Sequence, residues 1–255
     1  MSSELKESMK KIKFPENWTV DEWYGFNRHH FDFEGCSAWI AEPKYPAGDG
    51  RWSWCMAWPE SFIKRVGIVA LLEHGFYHVY IDTFQFRASP QGVAIMGRFQ
   101  VYLQNLGLSS KVNLIGKSWG GFFSLRYAET FPERIAALYL DAPLCNAADP
   151  KNCDEDRTRS ILENFGLSLE EMKVSKLNPL NNTAVLVKAQ IPIMAVVGEA
   201  DLSVNIDTNF NILEKRILES GGKLKVIRRK CWGHHPHGLD DPEELLKFHC
   251  EAREY

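Results

Sequence analysis

The 255-residue chain has no C-x-x-C pair: its six cysteines, Cys36, Cys55, Cys145, Cys153, Cys231 and Cys250, stand far apart. That spacing excludes a dithiol redox motif and a zinc ribbon, and the cysteines read as reduced, mostly buried thiols. No apolar run is long enough to span a bilayer, so a membrane partner is not expected. Residues 1–13 are polar and lysine-bearing without an apolar h-region, which makes a cytoplasmic location the expectation. Basic excess is missing as well. Lys and Arg total 30 against 33 Asp and Glu, for a net charge of −3, and no cluster of basic residues is interleaved with aromatics. Nothing there would neutralise a phosphate backbone, so nucleic acid is excluded as a partner. Internal repeats and low-complexity segments are also lacking, which excludes solenoids and disordered tracts.

What remains is an ordinary globular composition, 45% hydrophobic and 25% charged. A chain of this length suits one α/β domain with a sizeable core, and residues 1–255 are read as a single domain. Residues 18–58 look like antiparallel β, with runs at 23–33, 36–41 and 51–57 broken by Gly35 and by the turn cluster of residues 43–50. Apolar runs then alternate with helical patterns. Helices are expected at 66–74, 92–106, 121–130, 208–220 and 243–250, and strands at 78–82, 111–115, 135–141, 191–198 and 224–229. Gly75 and Gly107 sit where helix C-caps belong. Strands joined by right-handed crossover helices make a mainly parallel sheet flanked by helices. Residues 144–190 break the rhythm, with amphipathic stretches at 157–165 and 169–174, and read as a small helical cap insertion.

The strongest motif is Gly116-Lys117-Ser118-Trp119-Gly120-Gly121, set between a strand and a helix. This is the context of a G-x-S-x-G elbow, in which a serine on a sharp turn is exposed above the sheet and is poised as a nucleophile. Crowding on that turn makes Gly116 and Gly120 necessary. The backbone N–H of Trp119, at a helix N-terminus, is one half of an oxyanion hole, and the N–H of Ala57 or Trp58 after an earlier strand is the candidate for the other.

A carboxylate follows the strand at 191–198 in Gly198-Glu199-Ala200-Asp201, at the strand end where ligand-facing groups gather in parallel sheets. Asp201 is the first candidate for the acid that orients a histidine, Asp141 its rival one strand earlier, and Glu199 a third. Past the last strand stand Cys231-Trp232-Gly233-His234-His235-Pro236-His237-Gly238. His234 is the favoured base, because Gly233 lets the loop turn back over the sheet and Pro236 holds His235 extended and pointing elsewhere; His235 is the runner-up. These residues are also metal-ligand types, yet the spacing fits no tetrahedral zinc pattern and adjacent histidines do not easily face one ion, so no metal is expected. Trp58, Arg87 and Trp119 are candidate substrate contacts, Lys117 a weaker one. The indoles of Trp52, Trp54 and Trp232 fall near strand ends or loops, where flat faces suit sugar rings.

The order Ser118, Asp201, His234 and the tail GHHPHGLDDP resemble the α/β-hydrolase superfamily over nearly the whole chain. Together with Asp141-Ala142-Pro143 and Asn178-Pro179-Leu180, these motifs are similar to a bacterial group often found beside polysaccharide-degrading enzymes, some of which look like carbohydrate esterases. Two segments depart from the superfamily pattern: Met56-Ala57-Trp58-Pro59 replaces the usual His-Gly, and residues 82–89 replace an Asp-x-Arg-Gly-x-Gly-x-Ser run. The resemblance implies a serine esterase that needs no cofactor and acts on a small-molecule or oligosaccharide ester. The alternatives are a peptidase or amidase of the same fold, or a binding member without turnover.

Overall fold

The computed structural model describes residues 12–151 and 155–252. Cys153 lies outside the described residues. Of the other cysteines, all free, Cys36, Cys55 and Cys145 are buried, Cys250 is half-buried and Cys231 is exposed. No helix among the described residues is long and apolar enough to cross a membrane.

Nine strands form one sheet: β1 (Thr19–Trp23), β2 (Phe26–Phe33), β3 (Cys36–Ala41), β4 (Trp52–Cys55), β5 (Tyr77–Ile81), β6 (Val112–Lys117), β7 (Ile135–Asp141), β8 (Ile193–Gly198) and β9 (Lys225–Arg229). The run expected at 23–33 is interrupted. Tyr24 and Gly25 both have positive φ, as do Glu34 and Gly35, so each pair makes a two-residue turn whose twist suits antiparallel strands, and β1, β2 and β3 become successive hairpins.

The spatial order is β1-β2-β3-β5-β4-β6-β7-β8-β9. The stretch at 51–57, expected to continue the antiparallel series, does not pair with β3. β5 lies between them, antiparallel to β3, and β4 pairs in parallel with β5 and β6. Burial explains the placement: every residue of β4 is buried, and a strand apolar on both faces belongs in the middle of a covered parallel sheet. From β4 the chain steps outward to β5 and then returns to the other side as β6. The loops after β4 and β6 therefore diverge at a switch point, which is where crevices open in such sheets.

Helices cover both faces. Trp54, Leu114, Leu138 and Ala195 point to the layer formed by α2 (Pro90–Leu106), α3 (Trp119–Thr130) and α7 (Phe210–Glu219). Their neighbours Cys55, Ile115, Tyr139 and Val196 point to the layer of α1 (Ile68–Glu73) and α8 (Glu243–Glu251), as the two-residue period of a strand requires. The ends of α2 are set by its sequence: the Ser89 side chain accepts from Gly92 N, Pro90 opens the helix, and Gly107 closes it in the left-handed region.

Residues 144–190 carry α4 (Glu155–Phe165), α5 (Leu169–Val174) and α6 (Ala184–Lys188). Ser168 and Glu171 form a reciprocal capping box at the start of α5. α4 is tied on two sides, by Arg157 Nη2 donating to Ser203 O at 3.0 Å and by Arg87 Nε donating to Ser160 Oγ at 3.1 Å.

Candidate active site

Ser118 stands between β6 and α3 with φ 51° and ψ −117°, a conformation a non-glycine residue holds only when its surroundings over-determine it. Those surroundings are visible. Ser118 N donates to Asp141 O at 2.9 Å, and Ser118 O accepts from Gly121 N at 2.9 Å and from Leu144 N at 3.0 Å. A Cβ on Gly116 would lie 2.6 Å from Ser124 Oγ and 2.7 Å from Gly120 O. At the other end of the turn the tight position is Gly121 rather than the expected Gly120. A Cβ on Gly121 would meet Pro143 Cβ at 2.4 Å, whereas one on Gly120 would come no closer than 3.3 Å to Ala57 N.

The loop after β8 brings in Asp201, buried at 5% exposure. Its Oδ1 accepts from the N–H groups of Ser203 and Val204, both at 2.9 Å, and its Oδ2 lies 2.7 Å from His234 Nδ1. A carboxylate only accepts, so Nδ1 carries the proton and Nε2 is left as the acceptor for the Ser118 hydroxyl, 2.9 Å away. Ala200 N donates to Trp232 O at 2.9 Å, which stitches the aspartate loop to the histidine loop. Three residues from distant parts of the chain thus form one hydrogen-bonded row.

The rivals have other places. Asp141 faces His237, not His234: its Oδ1 is 2.6 Å from His237 Nδ1, its Oδ2 accepts from Gly238 N at 2.7 Å, and Tyr139 donates to the same oxygen. Burial pushes this carboxyl up, but His237, Tyr139 and Gly238 together hold it below the ordinary value. Glu199 is exposed. His235 is exposed and lies against the Phe62 ring at 5.6 Å. The expectation that it points away from its neighbours is corrected: the rings of His234, His235 and His237 stand 4.8–5.0 Å apart in a mutual edge-to-face triangle.

Around Ser118 lie the other predicted residues. Trp119 N opens α3, where a backbone donor has no partner within the helix. Of Ala57 and Trp58, it is Ala57 N that packs against Gly120 in the turn. Trp58 has φ 57° and is 42% exposed. Its ring meets Phe84 at 5.1 Å, and Phe84 meets Trp119 at 5.3 Å. Arg87 lies over Phe84 and Trp119, 4.3 and 5.5 Å from the ring centroids. Trp52 and Trp54 are core residues, at 0% and 1% exposure, and Trp232 stacks on Arg229. A cleft of about 240 Å³ opens between Trp58, Phe62, Ser118 and the histidine loop.

Lys117 corrects the sequence reading more sharply. Rather than a substrate contact, it is a buried side chain whose partners are two carbonyls and a thiol. At 0% exposure its Nζ donates to Ser61 O at 2.8 Å, to Trp58 O at 3.0 Å and to Cys55 Sγ at 3.4 Å. The cation thereby pins the loop that carries Ala57 and Trp58. Its burial had a signal in the sequence, because two-residue alternation along β6 puts Lys117 on the face of Ile115.

Residues 54–235 match the sequence model described as the alpha/beta hydrolase fold. The chain belongs to the α/β-hydrolase fold family. No curated protein sequence matches this α/β hydrolase. Solved structures similar to it include an S-formylglutathione hydrolase from Agrobacterium tumefaciens, 12% identical with a TM-score of 0.64, the match covering 92% of this chain and 95% of that one. An acylaminoacyl peptidase from Pyrococcus horikoshii is 14% identical with a TM-score of 0.63, over 82% of this chain and 38% of that one. A Porphyromonas gingivalis dipeptidyl peptidase 4 is 15% identical with a TM-score of 0.60, over 94% and 35%. This chain therefore spans well under half the length of either peptidase, and at these identities the likeness is one of fold.

Proposed function

We propose that this α/β hydrolase cleaves carboxylic esters through an acyl-enzyme, with Ser118 as nucleophile, His234 as general base and Asp201 as the acid that orients it. The observation that carries the reading is the row Ser118 Oγ, His234 Nε2, His234 Nδ1, Asp201 Oδ2, with contacts of 2.9 and 2.7 Å. Ser118 Oγ attacks the ester carbonyl carbon while its proton passes to His234 Nε2. The C–O bond to the alcohol then breaks as His234 returns that proton to the departing oxygen, and water repeats the route to release the acid. Asp201 stabilises the imidazolium formed in each half. The N–H groups of Trp119 and Ala57 receive the oxyanion, and Lys117 holds the Ala57 loop in position.

The small cleft suits a short acyl group, and the exposed Trp58 with Trp119 and Arg87 forms the side on which the alcohol rests. An ester decoration on a carbohydrate fits that aromatic rim. The second reading, a peptidase or amidase, draws on the peptidases of similar fold. The ester reading is preferred because the cleft beside Ser118 is small, about 240 Å³, with the aromatic face of Trp58 at its side.

Hydrolysis of a nitrophenyl acetate by the purified chain tests the proposal, and Ser118→Ala should lower turnover by about 10⁶. An organophosphate should add its mass to Ser118. A panel of acetylated oligosaccharides set against aminoacyl amides separates the two readings. Undiminished turnover in Ser118→Ala removes the Ser118 mechanism, and an absence of hydrolysis in the whole panel removes the ester proposal and leaves a binding role.

A further inference from the structure

We propose that His234, His235 and His237 form a site for a zinc-type divalent cation whose binding takes His234 Nε2 away from Ser118 and so switches the hydrolase off. One ring nitrogen from each histidine lies within 4.8 Å of the other two. Two of the three carry the support that metal-binding histidines require. His234 Nδ1 is bound to the buried Asp201 at 2.7 Å and His237 Nδ1 to the buried Asp141 at 2.6 Å. A carboxylate behind Nδ1 fixes the tautomer, leaves the lone pair on Nε2, and makes that nitrogen a better donor to a metal. The Asp141–His237 pair is not needed for the ester chemistry proposed above. It is a second carboxylate-backed imidazole at the same cleft, 5.0 Å ring to ring from the first.

His235 supplies the third ligand from the exposed side, where it rests on Phe62. Tetrahedral zinc with Zn–N bonds of about 2.1 Å needs its nitrogens about 3.4 Å apart, so the three must close by about 1.4 Å at most. Rotation of the exposed His235 imidazole closes its own two distances, and small shifts of the His234 and His237 rings, each still held by its carboxylate, close the third. Water or Ser118 Oγ, 2.9 Å from His234 Nε2, completes the fourth position. The lone pair that would bind the ion is the one that would take the serine proton. Metal binding and base catalysis are therefore mutually exclusive. Binding itself does not depend on the ester reading, and only its inhibitory consequence rests on that reading.

Calorimetric titration of the full chain with zinc chloride, together with the visible d–d spectrum of the cobalt(II) form, tests the site. One ion per chain is expected, with the band intensity of a four-coordinate site, and Ser118→Ala should still bind. His235→Ala should weaken binding by about tenfold or more. Its ester hydrolysis, measured against its own metal-free rate, should need correspondingly more zinc for half-inhibition, with EDTA restoring activity. Absence of saturable one-to-one binding, or unchanged affinity in His235→Ala, overturns the site. Binding with the expected His235 dependence in a protein that hydrolyses no ester keeps the site and removes the proposed ester hydrolysis, whereas zinc-insensitive hydrolysis keeps the ester reading and overturns the switch, because an ion on His234 Nε2 would block the base.

Discussion

His78 on β5 and His249 on α8 are fully buried, and each has only one ring nitrogen engaged. Nδ1 of His78 lies 2.8 Å from Ser53 Oγ and Nδ1 of His249 lies 3.2 Å from Asn113 Oδ1, while both Nε2 atoms face no polar partner. Burial pushes both imidazoles down from 6.5 to about 3, with Lys117 and His249 adding to the effect at His78. Both stay neutral in the folded chain, whereas the unfolded chain takes up a proton at each below pH 6.5. Their stability contribution is therefore complete above 6.5 and is lost as the pH falls toward 3. Each gives a slope of about 1.4 kcal/mol per pH unit, about 2.7 for the pair.

Glu129 on α3 opposes them. Burial raises its carboxyl well above 4.5, and Arg126 and Asn182 pull it only part of the way back, so the folded chain keeps a proton there that the unfolded chain releases above 4.5. Above 4.5 it therefore works against the two histidines. Between pH 6.5 and 4.5 the two histidines press toward a loss of about 2.7 kcal/mol per unit and Glu129 lessens it, against a total stability of about 5–15 kcal/mol. Urea unfolding followed by tryptophan fluorescence across that window measures it. Glu129→Gln should steepen the slope, and His249→Gln should flatten the wild-type slope by about 1.4 kcal/mol per unit. Native-state NMR titration of either buried histidine near 6.5 would refute the reasoning, as would identical slopes in wild type and both variants.

Other predictions concern the site. Lys117→Met removes the cation from beneath the Ala57 loop, and kcat for nitrophenyl ester hydrolysis should fall by about 10² with KM little changed, the cost of one misplaced oxyanion donor. Asp201→Asn should lower kcat by about 10⁴ with the fold intact. Asp141→Asn should instead be read in urea unfolding, as a loss of about 3–5 kcal/mol from breaking a buried, hydrogen-bonded pair. Gly121→Ala drives a methyl group into Pro143, and the overpacking should cost about 1–3 kcal/mol, measurable as a lower thermal midpoint.

The mainly parallel sheet with flanking helices was legible because its signals are local. A buried strand such as Ile135–Asp141 announces its own ends, and the amphipathic stretch of α5 does the same. The helix after Ser118 begins two residues earlier than expected, since a serine at positive φ hands the chain straight to the helix without a conventional cap. By the same local logic the sequence by itself determined that Ser118, Asp201 and His234 each follow a strand of one parallel sheet, and so stand at one edge of it.

Choosing among neighbours at that edge was left to the tertiary structure. Asp141 closes one strand and Asp201 follows the next, and only the packing of the histidine loop gives Asp201 to His234 and Asp141 to His237. Strand β5 slips between β3 and β4, Lys117 turns inward to two carbonyls, and three consecutive-looking histidines converge instead of dispersing. Each of these depends on which groups meet across many residues of chain. A hydrogen bond a few ångströms long is indifferent to sequence distance, and no local propensity records it.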